Sequence, residues 1–259
     1  MIAEQVQAMA PAPPGQEGWV RSALQSAGTA FVEGVFDRDR ISRFSEALTR
    51  ADQRERATYG EDFLRDIGQL GYVSDFLGIG PEAAELLNTP RLHDLLAEVF
   101  EEEVRLFAAQ GIILGPGEGR HVFPRCWHAD MFQIAEAIVD PGFVFAVNFL
   151  VLVDDVTREN GATAVVPGTH RNGALDASDE TYMSDRAIEA TGPAGSICLI
   201  EGGTWHAAGF NNSDRPRPVL KLMFARRWIR PQIDYSAGQP ADLLDRLSPA
   251  ARRLLDVDS

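Results

Sequence analysis

Lysine is almost absent from this sequence. Of its 24 basic residues, 23 are arginines and only Lys221 is a lysine. The 38 acidic residues give a formal net charge of −14, so the chain lacks the excess of basic groups that displaces counterions from nucleic acid. We therefore expect no nucleic-acid partner, and we interpret the acidity as a contribution to solubility. We attribute the scarcity of lysine to a GC-rich bacterial genome.

Cysteine and long apolar runs are also scarce. Two cysteines provide no disulfide framework. No run reaches the roughly 18 to 20 apolar residues of a membrane span, and the N-terminus has no basic segment followed by an apolar stretch, as a secretory signal would. The sequence therefore predicts a cytoplasmic protein without a membrane partner. Its 259 residues, 45% of them hydrophobic, are typical of a globular protein.

The distribution of glycine and proline predicts the domain organisation. The stretch MAPAPPGQEG near the N-terminus has little to bury, so residues 1–17 are predicted to be a disordered tail. Nothing further along resembles a linker, and residues 18–259 are predicted to form a single domain.

Hydrophobic periodicity predicts helices first and strands later. A strand is predicted over residues 29–36, and Asp37 is predicted to cap a following amphipathic helix. Residues 80–103 should form two helices separated at Pro90, and residues 240–257 a C-terminal helix. From Val104 onward, short apolar runs alternate with Gly, Pro, Asn and Asp turns, as in VRLFAAQGIIL, FVFAVNFLVLV, ATAVVP, SICLIE, TWHAAGF and RPVLKLMFARRWI.

This order of elements favours an α+β, mainly β protein with a sandwich or jelly-roll core. The run FVFAVNFLVLV is apolar at both parities, so that strand needs cover on both faces of its sheet. We expect the N-terminal helices to lie on one outer face.

Three residues are candidates for a metal site. His128 and Asp130 are two residues apart, and on a strand both side chains point to the same side. Such a pair can also be an ordinary strand-end pair. His206, far downstream in TWHAAGF, completes the two histidines and one carboxylate of the facial triad that holds non-haem iron.

An arginine follows the third candidate ligand. Arg217 lies eleven residues after His206 and begins the run RPVLKLMF. Its fork of N–H donors can bind a carboxylate held near a metal. Arg215, beside it, is interpreted as a surface residue at the turn.

Taken together, these motifs resemble the phytanoyl-CoA dioxygenase (PhyH) family of Fe(II)- and 2-oxoglutarate-dependent oxygenases, of which bacterial ectoine hydroxylase is a relative. The resemblance runs from about residue 25 to residue 230 and includes ENGATAVVPGTH at 159–170 and NNS before Arg217. It implies a double-stranded β-helix fold and release of succinate and CO2 from 2-oxoglutarate and O2. It also implies that the distal carboxylate of 2-oxoglutarate binds Arg217 and that Fe(II) binds His128, Asp130 and His206.

The resemblance also suggests other contacts with the co-substrate. Asn148 matches a position that contacts the co-substrate in relatives, and Gln110 and the hydroxyl of Thr163 are further candidates. For Asn148 and Thr163 the alternatives are a buried structural amide and a strand filler. Relatives often have a serine where this chain has Ala208, so Arg217 needs another partner. Halogenases of the superfamily replace the carboxylate ligand with a small residue, so Asp130 favours hydroxylation or a related oxidation.

Three residues are candidates for the substrate pocket. Lys221 has the same strand parity as Arg217 and would then need a carboxylate partner, unless a bulge turns it to solvent. Arg125 would favour an anionic substrate, and Phe132 would form a pocket wall, although both could have purely structural roles. Segments 57–82 and 171–195 are predicted to be loops that cover the substrate.

Two other functions remain open at this point. A cupin-like metal-dependent isomerase or hydrolase could use the same three ligands, but it would have no need of Arg217. A binding module without catalytic activity could have kept the fold, although it would have no reason to keep an intact triad. The sequence indicates a small-molecule substrate without identifying it, and it does not indicate the oligomeric state.

Overall fold

A computed structural model of the chain describes residues 18–119, 127–131, 140, 142–171, 185–237, 239 and 241–257. Helices cluster at the two ends of this part of the chain, and strands dominate between them. The helices are α1 (Trp19–Ala27), α2 (Arg38–Tyr59), α3 (Glu61–Asp66), α4 (Pro81–Leu87), α5 (Pro90–Phe100), α6 (Ala241–Arg246) and α7 (Pro249–Leu254), with short 3-10 helices at Leu77–Ile79 and Thr169–Arg171.

Two antiparallel sheets form the centre of the molecule. The large sheet has the order β1-β7-β4-β9-β3-β2, and the small sheet has the order β6-β5-β8. The strands are β1 (Thr29–Val32), β2 (Tyr72–Val73), β3 (Val104–Leu114), β4 (Ala146–Leu152), β5 (Ala164–Val165), β6 (Ile188–Glu189), β7 (Ile197–Glu201), β8 (His206–Ala207) and β9 (Arg217–Arg226). The predicted combination of helices with antiparallel sheets is confirmed, but the prediction that the protein is mainly β is wrong for the described residues, because more of them lie in helices than in strands.

Capping residues set several helix boundaries. The Asp37 side chain accepts a hydrogen bond from the Arg40 backbone N–H and starts α2, as predicted. Pro90 begins α5 at a position where its missing N–H costs nothing. The single C-terminal helix expected over 240–257 is wrong, because the chain there forms α6 and then α7. Ser248 caps α7 by accepting from the Ala251 N–H, and Pro249 follows as its first residue.

Three further elements differ from expectation. The strand expected over 29–36 ends at Val32, and Gly34 then adopts a left-handed conformation with φ 66°. Helix α1 was not predicted, although its buried Val20, Ala23, Leu24 and Ala27 have helical spacing. Segment 57–82 is not the predicted open loop, since it contains the end of α2, all of α3, strand β2 and a 3-10 helix.

One face of the large sheet is covered by helices. This helix-covered face includes Val147, Phe149 and Val151 of β4 and Leu222 of β9, and it packs on residues from α1, α2, α4, α5, α6 and α7 in one continuous apolar cluster. The expected cover on an outer face is therefore confirmed, with helices from both ends of the described chain contributing.

The opposite face, which we call the inner face, turns toward the small sheet. Residues paired across antiparallel strands share a face, so Leu150, Gln110 and Lys221 form one row of it. Inner-face residues Leu150, Leu152 and Val219 pack with Val165 of the small sheet and with their neighbours. The functional residues lie between the two sheets, toward one end of this cluster.

Within the described residues, no helix combines the length and apolarity required to span a lipid bilayer.

Candidate metal centre and co-substrate site

His128, Asp130 and His206 come together in space, although 78 residues of sequence separate the first and the last. Their potential ligand atoms lie within 4.8 Å of one another. The carboxylate of Asp130 is 3.6 Å from His128 Nε2 and 3.7 Å from His206 Nε2. Two atoms about 2.1 Å from a shared ion and at right angles would lie about 3 Å apart. A small contraction of this cluster would therefore produce a coordination site.

Backbone pairing holds the two histidines side by side. His128 and His206 exchange both backbone hydrogen bonds, at 3.0 and 2.9 Å, and their rings are 4.4 Å apart. The Met131 N–H donates to the Gly202 carbonyl at 2.9 Å and fixes the other side of Asp130. Trp127 and Trp205, whose parity is opposite to that of the ligands, pack together in a separate apolar cluster. Both tryptophans therefore have a packing role.

Hydrogen bonding selects the tautomer of His206. Its Nδ1 lies 2.9 Å from the Thr204 carbonyl, so Nδ1 carries the proton and the lone pair of Nε2 points toward Asp130. Burial, aided by the neighbouring His128, lowers the pKa of His206 to about 4. The ring is therefore neutral at neutral pH, as a metal ligand must be.

The Asp130 carboxylate has two donors from the large sheet. Asn148 Nδ2 donates to its Oδ2 at 2.7 Å, and the Lys221 ammonium lies 3.1 and 2.9 Å from its two oxygens. Burial alone would raise the pKa of Asp130, but Lys221 and the two histidines outweigh burial and hold that pKa well below its usual range. Asp130 is ionised at every pH at which the protein is expected to work.

Arg217 is almost completely buried, with 2% of its surface exposed. Its Nη2 donates to the Gly161 carbonyl at 2.8 Å, whereas its Nε has no hydrogen-bond partner within the described chain. Burial lowers the pKa of Arg217 to about 10, so the group stays charged at neutral pH. A buried cation with an unused donor can bind an anion at low cost, because it has already been desolvated.

The glycine and asparagine motifs around Arg217 are explained by the turns that they form. Gly161 has φ 86°, and a Cβ there would lie 2.7 Å from Leu114 Cδ2, so the turn that offers its carbonyl to Arg217 requires glycine. Asn211 donates to the carbonyls of Leu114 and Arg215 and orders the turn before β9. Arg215 is exposed, as predicted. Ala208 is also exposed and brings no hydroxyl to the arginine.

The other candidate residues differ from one another in burial and in contacts. Asn148 is fully buried against Asp130, and its Oδ1 has no partner within the described residues. Gln110 is half-buried on the inner face, opposite Lys221. Thr163 is half-buried just before β5, and its carbonyl accepts from the Ala190 N–H at 2.8 Å. Phe132 and Arg125 lie outside the described residues.

Lys221 faces the site, in accordance with its parity with Arg217. Its side chain is 17% exposed, and it forms an ion pair with Asp130. The alternative in which a bulge turns it to solvent is therefore wrong. The carboxylate that its burial requires belongs to a candidate metal ligand.

Tyr72 is a site residue that the sequence did not reveal. It pairs with Ile112 at the edge of the large sheet, which puts its side chain on the inner face. Burial and the charge of Asp130 raise the pKa of Tyr72, while the charge of Arg217 acts in the opposite direction. The phenol is therefore neutral and lies in the field of both groups. It was missed because its two-residue strand falls in a segment interpreted as a loop.

This set of groups fits a ferrous ion and a dicarboxylate. Two imidazoles and one carboxylate on one side of a metal are the donor set of non-haem iron oxygenases. Arg217 Nε and Asn148 Oδ1 have no hydrogen-bond partner among the described residues, which leaves one donor and one acceptor for a polar ligand between the sheets. The His128 side chain is 50% exposed, so the ligand cluster is open to solvent on that side.

The fold and the two histidines and one carboxylate are those expected of one class of protein, the non-haem iron oxygenases. The family model for phytanoyl-CoA dioxygenase (PhyH) matches residues 24–219, and the chain belongs to that family. The chain is 33% identical over 253 residues to dioxygenase af480 of Aspergillus fumigatus, covering 93% of this chain and 74% of that protein. It is thus an oxidoreductase of the dioxygenase type.

Solved structures share the fold. EctD from S. alaskensis, determined with 2-oxoglutarate and 5-hydroxyectoine, matches with a TM-score of 0.67 at 19% identity, over 93% of this chain and 91% of that one. SnoN, a non-haem α-ketoglutarate-dependent epimerase from nogalamycin biosynthesis, matches with a TM-score of 0.60 at 20% identity, over 83% and 84%.

Proposed function

We propose that this protein is an Fe(II)- and 2-oxoglutarate-dependent dioxygenase that hydroxylates an unactivated C–H bond of a small molecule in bacterial secondary metabolism. It releases succinate and CO2 and acts in the cytoplasm. In this proposal the two sheets form a double-stranded β-helix, and residues 18–259 are one oxygenase domain. The proposal rests above all on Arg217, which is buried and whose Nε has no hydrogen-bond partner among the described residues.

The arginine separates this function from the alternatives. A metal-dependent isomerase or hydrolase needs the three ligands, but it gains nothing from Arg217, a buried cation on the same face in addition to the metal ion. Desolvating a guanidinium is costly unless an anion compensates for it. Since Arg217 has carbonyl and phenol neighbours but no carboxylate partner among the described residues, the compensating anion is a ligand. The distal carboxylate of 2-oxoglutarate meets this requirement.

His128, Asp130 and His206 would hold the iron. The Thr204 carbonyl orients His206, while Asn148 and Lys221 keep the Asp130 carboxylate ionised and in place. When bound, iron activates dioxygen at the expense of the keto acid, so that a strong C–H bond can be broken. The contribution of the chain is to position both reactants and to exclude water from them.

Four polar residues would complete the co-substrate site. Tyr72 supplies a hydroxyl in the field of Arg217. In relatives a serine at the position of Ala208 would serve the arginine instead. Asn148, beside Asp130, has a carbonyl oxygen without a partner among the described residues, and Gln110 and Thr163 border the space between the sheets. Hydroxylation is the proposed outcome because Asp130 fills the coordination position that halogenases leave to a halide.

An anaerobic titration tests this function. Metal-free protein receives Fe(II) and then 2-oxoglutarate while the visible spectrum is recorded. We expect a weak lilac charge-transfer band in the wild type, caused by chelation of the keto acid at the iron. Arg217→Ala should lose the band or require far more keto acid. Arg215→Ala removes an exposed arginine two residues away and should behave like the wild type.

The outcomes separate the candidate functions. Metal binding without a band at saturating keto acid would exclude the oxygenase and favour a cupin-like isomerase or hydrolase. Absence of metal binding would favour a binding module without catalytic activity. If the band forms, mass spectrometry of candidate substrates after aerobic turnover distinguishes addition of an oxygen atom from desaturation, ring formation or epimerisation.

A further inference from the structure

The only lysine of the chain contacts the carboxylate that the proposed iron requires. Lys221 Nζ lies 3.1 Å from Asp130 Oδ1 and 2.9 Å from Oδ2. Both side chains are 17% exposed, so water screens the pair poorly. The other 23 of the 24 lysine and arginine residues are arginines, which makes a lysine at this position notable.

A metal ion at the three ligands would lie close to this ammonium. An ion about 2.1 Å from an Asp130 oxygen would lie only about 4 to 5 Å from a nitrogen that itself touches that oxygen. A divalent cation and an ammonium repel one another strongly at this distance in a poorly screened interior. Lys221 and the metal therefore compete for the same negative charge.

The charges around the site show what would relieve this competition. Asp130 is the single anion among the described groups that contact the metal position, whereas Lys221 and Arg217 are both cationic. A bound ion thus leaves the site with a large excess of positive charge. A dicarboxylate with one end at Arg217 and the other at the metal would bring its second carboxylate next to the lysine.

We propose that Lys221 couples metal binding to co-substrate binding. Its ammonium pairs with Asp130, the carboxylate that a metal at the three candidate ligands would also need. A metal held by Asp130 would leave the ammonium to pair with the nearer carboxylate of the keto acid. The protein consequently holds its metal weakly alone and tightly with the keto acid, and by linkage the metal strengthens keto-acid binding by the same factor. This inference rests on the proposed function for the identity of the carboxylate.

Metal affinity without turnover provides the test. The dissociation constant of Mn(II), which replaces Fe(II) without oxygen chemistry, is measured by calorimetry with and without saturating 2-oxoglutarate. Lys221→Met should bind Mn(II) about tenfold more tightly than the wild type when no keto acid is present. The tightening caused by 2-oxoglutarate should shrink by a similar factor. Lys221→Arg, which keeps the charge, should retain the coupling.

Two controls protect the interpretation. Arg215→Met removes one positive charge from the exposed turn before β9 and should leave both dissociation constants unchanged. Thermal unfolding of each variant verifies that the fold persists, since removing Lys221 leaves Asp130 with fewer partners. If Lys221→Met is too unstable to measure, Lys221→Gln and Lys221→Arg provide the same comparison of charge with neutrality.

Pyruvate identifies which end of the keto acid is involved. It has the keto-acid end but lacks the distal carboxylate that Arg217 would bind. At saturating concentration it should tighten Mn(II) binding in the wild type more than in Lys221→Met.

Each result bears on a different claim. Equal or weaker Mn(II) binding by Lys221→Met without keto acid would overturn the competition between lysine and metal. Equal tightening by 2-oxoglutarate in wild type and Lys221→Met would show that the ammonium binds some other carboxylate, and the coupling would be wrong. If 2-oxoglutarate has no effect on the wild type, the proposed function fails, and the measurement without keto acid still decides whether Lys221 opposes the metal.

Discussion

The two faces of the large sheet belong to the same strands, but they bury different kinds of side chain. On β4, Phe149 points into the helix-covered face, while its neighbour Asn148 points to the inner face and the metal position. Both are fully buried. The helix-covered face is stabilised mainly by apolar contact, whereas the inner face contains polar groups, Arg217 and Asn148, that keep an atom without a hydrogen-bond partner among the described residues. Burial therefore stabilises the fold on one face and prepares binding on the other.

The largest expected effect is a loss of stability from a substitution on the helix-covered face. Phe149→Ala should lower the free energy of unfolding by about 3–5 kcal/mol, because it removes a packed ring and leaves a cavity. The ring also loses its edge contact with Phe224, whose centroid is 5.2 Å away. Urea unfolding measures the loss. The Mn(II) affinity of the folded fraction should not change, and a parallel loss of metal affinity would show that the two faces are not independent.

Glu201 is an exception on the helix-covered face, because it is a carboxylic acid on that side of β7. It pairs with Val147 and is 3% exposed. Its Oε2 accepts from the Gly203 N–H, and its Oε1 has no partner within the described residues. Burial raises the pKa of Glu201 to about 8, against about 4.3 in an unfolded chain.

The sign of the pH dependence follows from that difference. Between about pH 4.3 and pH 8 the folded protein keeps a proton that the unfolded chain has released, so the contribution of Glu201 to stability falls as pH rises, by at most about 1.4 kcal/mol per pH unit. Glu201→Gln should remove this decline. Chemical unfolding at several pH values, compared between wild type and variant, measures it. Parallel stability curves for the two proteins would mean that Glu201 is ionised in the fold.

The smallest expected effect concerns the inner face. Tyr72→Phe removes one hydroxyl from the field of Arg217 and Asp130 and leaves the ring in place. Loss of one hydrogen bond of ordinary strength should weaken 2-oxoglutarate binding to the Mn(II)-loaded protein by about 3- to 10-fold, as measured by calorimetry. A second variant, Tyr72→Phe with Ala208→Ser, should recover part of the affinity if the serine of relatives and this tyrosine serve the same carboxylate.

The sequence predicted what depends on spacing and alternation. The spacing of His128 and Asp130 and the run around His206 identified the cluster that the structure brings together, and the parity of β9 predicted that Lys221 faces it. These features are local, because residues two apart on a strand share a side. Asp37 and Pro90 were equally informative, since capping and the missing N–H act within one helical turn.

Features set by long-range packing could not be predicted from local spacing and alternation. Parity gave the direction of Lys221 but not that its carboxylate partner would be Asp130, 91 residues earlier. Tyr72 reaches the site only because two residues of an unpredicted strand join the edge of β3. Helix α1 has a glycine at each end, without a side-chain cap at its start, so the usual polar signal for a helix start was missing.

The position of β9 in the sheet has a consequence for synthesis of the chain. This strand is the last to leave the ribosome, yet it lies between β4 and β3 and joins the half-sheet β1-β7-β4 to the half-sheet β3-β2. Until it arrives, each half has an exposed edge that can pair with other chains. The same strand carries Arg217 and Lys221. A nascent chain therefore has all three candidate metal ligands before it has Arg217 or Lys221, and the strand that closes the sheet also brings both cations to the inner face.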